Sequence, residues 1–273
     1  MFSLEVARTE DVIETRTKVF KGRVTAVGPS GVKIQLAGGG EITVPRTEII
    51  RIEVAPPPSV ERGIAAYEKG NMREARVNLD KTISQFLGLD TEWAAKAILY
   101  SGRASLLSGD YDSAGKAFDA FLKAYPDNPH GVSASAGLAD IELENKNYET
   151  ALAKFQELAG LYEKQLKPPR DQWQFAAEVF LGIGKCHEGL SQPDKAMDGY
   201  ARVIGLYQVE PYYSEALFRA AALLSAGGSR IYDERAVKML SELVEKYPSS
   251  KFAVRAIEMR GAISKRMEGS KEE

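Results

Sequence analysis

The chain has 273 residues, 44% of them hydrophobic and 27% charged, with a formal net charge of −2. That balance is typical of a soluble globular protein, and so small a net charge gives no electrostatic case for nucleic acid or an anionic membrane. A single cysteine, Cys186, excludes an internal disulfide framework, and no run approaches the ~18 consecutive apolar residues of a membrane span.

The chain opens MFSLEVARTEDVIETRTK, without the basic start and apolar run of a secretion signal. This points to the cytoplasm, or to the periplasm and cell envelope if a leader once preceded it. Up to Pro56 the hydrophobic period is two. In VKIQL, Val32, Ile34 and Leu36 alternate with Lys33 and Gln35; in IIRIEV, Ile50, Ile52 and Val54 alternate with Arg51 and Glu53. Such alternation marks half-buried strands, with GPSG and AGGG as the turns between them. Four or five short strands are expected, and the phrase KGRVTAVGPSGVKIQL resembles small SH3-like or Sm-like β-barrels. An Sm-like barrel would raise RNA as a partner. Residues 1–55 carry eight Lys/Arg against seven Asp/Glu, however, with no aromatic residues interleaved in a basic patch, so nucleic acid is not favoured. Docking or self-association is the preferred reading of this domain. APPPS, at 55–59, reads as a stiff polyproline linker.

Beyond it one pattern recurs five times. In GDYDSAGKAFDAFLKAYP, Ala114 is followed at +4, +7 and +11 by Phe118, Phe121 and Tyr125. Steps of this size stay on one stripe of a helix, since each residue turns roughly 100°. The same offsets give Leu79, Thr82 and Phe86 after Ala75, and Phe155, Leu158 and Tyr162 after Ala151. They give Tyr200, Val203 and Tyr207 after Ala196, and Leu240, Leu243 and Tyr247 after Ala236. Only Thr82 breaks the apolar stripe. The alanines lie 39, 37, 45 and 40 residues apart, a period that means stacked units rather than one compact core. A turn precedes each stripe (GNMR, GDYD and KNYE in the first three units), and another helical run precedes each turn. Small residues, Gly63, Gly102, Ala139 and Gly184, recur on those first helices and let the paired helices approach closely.

These residues resemble the tetratricopeptide repeat over about Val60 to Met267: a small residue at the eighth position, G-D/N-Y at the turn, then Ala, an aromatic and Pro. The fourth unit departs by turning through SQPD, and the fifth by the insertion GGSRIYDE. Long helices ending in YP resemble the variant found in bacterial envelope proteins such as outer-membrane assembly lipoproteins and Tol–Pal coordinators, although the N-terminal lipidation cysteine is missing. The resemblance implies a mainly α, right-handed α-solenoid. The expected layout is a small β-barrel at 1–55, a proline-rich linker at 56–59, five repeats plus a capping helix over 60–268, and a disordered tail at 269–273. It also implies a concave groove lined by first helices, which places Tyr100, Arg103, Asp140 and Lys185 as partner-binding residues. Some members of the family clamp a C-terminal carboxylate with Lys and Asn. The matching positions here, Val60, Ile64, Leu99, Arg103, Ala136 and Asp140, lack that clamp.

Catalytic chemistry finds no support. Gly182, Gly184 and Lys185 echo a phosphate loop, but that motif needs GxxxxGK[ST] between a strand and a helix. Cys186 and His187 are adjacent on a helix and diverge by roughly 100°, so they do not form a nucleophile–base pair. His130 stands apart from them, and no metal site or cofactor is expected. The expected function is a noncatalytic protein-interaction scaffold; the alternatives are a homo-oligomeric structural scaffold and, less favoured, an RNA-associated adaptor acting through the barrel.

Overall fold

The computed structural model describes residues 10–163 and 168–269. Residues 1–9 of the expected barrel lie outside this range, as does the expected tail except for Gly269, which closes the last helix. The chain divides into two compact units, one reaching Leu138 and the other starting at Ala139.

The first unit begins with five antiparallel strands: β1 (Asp11–Thr15), β2 (Val19–Gly28), β3 (Gly31–Leu36), β4 (Glu41–Val44) and β5 (Ile49–Glu53). Their order is β4-β3-β2-β1-β5. The expected barrel is therefore corrected to an open sheet with β4 and β5 as its edges. Pro45, which cannot donate to a ladder, ends the four-residue β4, and a 3-10 turn at Arg46–Glu48 carries the chain to the far edge. Ile13, Val24, Val32, Ile34 and Val44 form the buried face, none more than 3% exposed. Ile50 does not join them and is 62% exposed. The β1–β5 register slips between Glu14 and Thr15, so Arg51 faces Glu14 while Ile49 faces Thr15, and Ile50 falls in the bulge. The buried Asp11 carboxylate accepts the Val24 N–H at 2.8 Å and the Ala55 N–H at 3.3 Å, fixing β2 and the exit from the sheet.

The linker is shorter than expected, because Pro58 and Ser59 already belong to α1 (Pro58–Glu68). Proline suits a first helical turn, where its missing N–H has no partner to lose. Next come α2 (Met72–Phe86), α3 (Glu92–Leu107), α4 (Tyr111–Ala124) and α5 (Gly131–Glu144), the last of which contains the unit boundary. The sheet is docked on this unit. The Trp93 indole N–H on α3 donates to the Val54 carbonyl at 2.8 Å, and the ring meets Phe86 edge-on at 5.4 Å. The Gly88 N–H donates to the Tyr125 hydroxyl at 2.9 Å, beside a cleft of about 500 Å³ lined by Arg46, Ile52, Leu89 and Tyr125.

The second unit carries α6 (Tyr148–Glu163), α7 (Trp173–Gly189), α8 (Pro193–Leu206), α9 (Tyr212–Ala226), α10 (Arg230–Lys246) and α11 (Ala253–Gly269). Four helix-to-helix turns share one hydrogen bond, from a backbone N–H to the carbonyl five residues earlier: Asn71 to Ala66, Asp110 to Ser105, Asn147 to Glu142 and Gln192 to His187. This closure needs a left-handed residue just before the donor. Gly70 and Gly109 supply it at φ 79° and 76°, whereas Lys146 and Ser191 adopt it at φ 64° and 56° against their side chains.

Packing follows the repeat stripe. Ala75, Ala114, Ala151, Ala196 and Ala236 are all 0% exposed, as are Leu79, Phe118, Phe155, Tyr200 and Leu240 four residues later. Four of these large residues, Leu79, Phe118, Phe155 and Tyr200, press on first-helix positions that have no side chain. A Cβ on Gly102 would stand 2.7 Å from the Phe118 ring, and one on Gly137 only 2.4 Å from it. Within the second unit a Cβ on Gly182 would be 2.4 Å from the Phe155 ring, and one on Gly184 2.4 Å from the Tyr200 ring. Gly63 is filled by Leu79 in the same way. The one polar interruption is accommodated: Thr82 is 1% exposed and its hydroxyl meets that of Ser59 at 2.7 Å. In α6 the stripe shifts by one, so that Ala159 is buried and Leu158 only half-buried.

Two measurements follow from this geometry. Gly109→Ala puts a side chain on a left-handed residue with open space around it, so its cost of about 1 kcal/mol is conformational alone. Gly160→Ala, in an exposed turn of α6 with equally open surroundings, should instead stabilise by up to about 1 kcal/mol. Urea midpoints of the two variants should therefore move in opposite directions. In the second measurement, a chain trimmed to residues 57–273 loses the Trp93–Val54 bond but keeps every filled seat, so it should melt cooperatively at a lower temperature. A melt without a cooperative transition would mean that the helices need the sheet to fold.

Candidate partner-binding surfaces

The second helices turn their apolar stripes inward, and the residues that the sequence singles out for recognition lie on the first helices. In the first unit, Tyr100 on α3 is half-buried and meets the ring of Tyr67 on α1 edge-on, with centroids 5.0 Å apart. Arg103 follows three residues later on the same helix, also half-buried. Its charge reaches His130, whose ring is held below its ordinary pKa by burial first and then by Lys96, with Glu92 opposing and Arg103 adding to the effect. Thus Tyr100 and Arg103 share one helix face, with Arg103 within electrostatic reach of the half-buried His130 ring.

In the second unit the structure brings Asp140 on α5 and Lys185 on α7 together at 3.8 Å, both about three-quarters covered. They open a longer row of charges. Glu215 on α9 lies 2.8 Å from Arg219 and 3.6 Å from Lys251, and Arg219 reaches Glu188 on α7 at 3.2 Å. Glu188 also accepts the Tyr200 hydroxyl at 2.5 Å, which links the row to the packed core. Burial by itself would raise the Glu215 pKa, but Lys185, Arg219 and Lys251 outweigh it and hold the carboxylate below its usual range. Burial likewise opposes the charge on Arg219, yet Glu215 and Glu188 fix it as a permanent cation. Glu188, Glu215, Arg219 and Lys251 were not expected from the sequence. The Glu215–Arg219 spacing of four on a first helix was the available signal.

The remaining singled-out residues have packing roles. Gly63, Gly102 and Gly184 are the seats described above, and Ala139 is 0% exposed. Gly182 is the seat of Phe155, inside α7. The Cys186 thiol is fully buried and pushed up to about 12, so it carries no thiolate at neutral pH. His187 is buried beside it and pairs through Nδ1 with Gln192 at 3.0 Å, fastening the turn between α7 and α8. Among the described residues, no group of three or more His, Cys, Asp or Glu could hold a metal ion, and no helix is long and apolar enough to cross a membrane.

Comparison with known proteins agrees with the repeat fold. The sequence matches the tetratricopeptide-repeat pattern over residues 60–129 and 101–165, and again over 215–250. The chain belongs to the tetratricopeptide-repeat family, a fold that serves as a scaffold for protein–protein interaction and is typically non-catalytic. A protein of Arabidopsis thaliana described as a CTR9 homolog is 30% identical over 147 residues, which are 54% of this chain and 12% of that protein. The chain thus spans about an eighth of that relative's length. Among solved structures, a thermophilic tetratricopeptide-repeat protein of Thermus thermophilus superposes with a TM-score of 0.56 at 14% identity, covering 75% of this chain and 96% of that one. Yeast Tom70 gives 0.54 at 15% identity, covering 77% of this chain and 40% of its own. At these identities the likeness is one of fold.

Glu215 yields a pH prediction. Its folded pKa lies below the unfolded value, so its stabilisation is complete above the ordinary glutamate value of 4.5 and is lost as pH falls through the folded value. Glu215→Gln should be less stable than the parent at pH 7, because Arg219 and Lys185 lose their partner. It should also lose less further stability between neutral and acid pH. Denaturant titrations of both proteins across that range give the two slopes.

Proposed function

We propose that the chain is a noncatalytic scaffold that binds a protein partner along the exposed faces of its first helices. Tyr100 and Arg103 would contribute from the first unit, and Asp140 and Lys185 from the second. One observation carries this reading. The second helices turn their stripe inward, with only Leu158 and Tyr247 half-buried, while the first helices keep an aromatic pair and a row of alternating charges partly exposed. Tyr and Arg are the side chains most often found as interface hot spots. The row is preformed, because Asp140, Lys185, Glu215 and Arg219 hold one another in place, and that limits the ordering cost of binding. A partner segment carrying charges of both signs suits such a row, its carboxylates taking up Lys185 and its cations Asp140.

Arg103→Glu and Lys185→Glu should each weaken partner binding. Arg103→Glu should leave the melting temperature nearly unchanged, whereas Lys185→Glu should lower it, because it sets another carboxylate against Asp140 and Glu215, so its affinity is read below its own melting temperature. Capture from the native cell with the full chain and with each variant, followed by calorimetry on the partner identified, reads both quantities. Unchanged affinity for both variants would move the binding surface away from the first helices.

A further inference from the structure

One cleft of the first unit gathers positive charge that nothing beside it neutralises. It encloses about 640 Å³ between β2 and β3 on one side and α1 and α2 on the other. Three basic side chains line it, all on exposed residues: Arg23 from β2, Arg62 from α1 and Lys81 from α2. Among the described residues, the charged groups of Arg23 and Lys81 have no hydrogen-bond or ion-pair partner. Arg62 engages only its Nε, which donates to the Pro58 carbonyl at 3.3 Å, so its two terminal nitrogens remain to be used. Asp11 is the one acid among the lining residues, and each of its oxygens already accepts a backbone N–H, from Val24 and from Ala55. The cleft thus holds three cations against one occupied carboxylate, in a chain whose acids outnumber its bases by 38 to 36. Like charges gathered this way repel one another in the free protein, and an anionic ligand relieves them. The walls also carry Val77, 66% exposed and one turn before Lys81, and the amides of Gln35 and Gln85 from opposite sides.

We propose that this cleft binds an acidic, extended peptide segment of a partner protein, its carboxylates taken by Arg23, Arg62 and Lys81 and an aliphatic side chain by Val77. The amides of Gln35 and Gln85 suit a peptide backbone, since each can both donate and accept. Nucleic acid fits less well. Single strands are held by stacking bases on open aromatic faces, and Phe86, the one aromatic residue among the lining residues, is 8% exposed with its ring against Trp93. A cleft walled on two sides does not receive a flat lipid surface. Nor has a second copy such a segment to lend: among the described residues, no stretch between consecutive helices or strands holds two carboxylates. None of the residues used here belongs to the first-helix surface proposed above, so either reading can fail while the other stands.

The probe is a fluorescent peptide with a pair of glutamates on either side of a leucine, used beside a counterpart in which every glutamate is glutamine. Anisotropy titration with the full chain should show saturable binding of the acidic peptide alone, weakening as salt is raised. Arg23→Gln and Lys81→Gln, on opposite walls, should each weaken it by about three- to tenfold. Their melting temperatures should match that of the parent, because neither charged group holds a partner. Lys116→Gln removes the same charge from an exposed position on α4, outside the cleft, and should bind as the parent does. Absence of saturable binding, equal binding of the glutamine peptide, or parent-like binding by both Arg23→Gln and Lys81→Gln would overturn the proposal. An oligothymidylate that binds where the peptide does not would give the cleft to nucleic acid instead. A dimer in light scattering that Lys81→Gln dissolves would give it to a second copy. A chain ended at Gly269 that binds the peptide more tightly than the full chain would give it to the chain's own Glu272 and Glu273.

Discussion

On four of the five second helices a large side chain sits where a first helix has none, and the rest of the fold depends on that fit. A glycine inside a helix costs about 1 kcal/mol relative to alanine. Burying a Phe ring against it returns about 1.5–3 kcal/mol, so the exchange favours the glycine wherever the ring arrives. Phe118 uses two such glycines, Gly102 on the helix before it and Gly137 on the helix after it. One ring thereby packs against both α3 and the first half of α5. Gly160, Gly205 and Gly261 have open surroundings, which shows that glycine alone does not make a seat.

The two helices of a pair expose different surfaces. The second helices are committed to packing, and their stripes are closed to any other use. First helices bury one face and keep the other, and it is there that the Tyr67–Tyr100 pair and the Asp140–Lys185 and Glu215–Arg219 charges appear. Charged residues in that position hold one another by opposite sign across neighbouring helices, so the surface is ordered before anything binds. The sheet adds a separate element, fastened to α3 through Trp93 and beside α4 through Tyr125.

Much of this was legible in the sequence, for a physical reason. An alanine with large apolar residues at +4, +7 and +11 can serve only one face of a helix, and five copies near a forty-residue period leave little choice of fold. Strand alternation likewise located Val32 and Ile34 correctly. It failed at Ile50, because the bulge opposite Glu14 and Thr15 leaves no mark in residue pattern. The closed barrel failed for a related reason, since strand pairing at the edges depends on chain path rather than on periodicity. Of the surface residues, Asp140 and Lys185 were singled out through the family resemblance, and the structure shows them 3.8 Å apart. Glu188 and Lys251 were not, because their role arises only when neighbouring helices bring them to Arg219 and Glu215.

The most direct test of the central fit is a double-mutant cycle on Gly102 and Phe118, followed by denaturant unfolding of the full chain. Gly102→Ala should destabilise by about 1–3 kcal/mol despite alanine's better helix propensity, because its methyl group would overlap the ring. Phe118→Leu removes that overlap, so in its background Gly102→Ala should cost much less, giving a coupling of about 0.5–3 kcal/mol. Additive effects, or a Gly102→Ala variant more stable than the parent, would contradict the account.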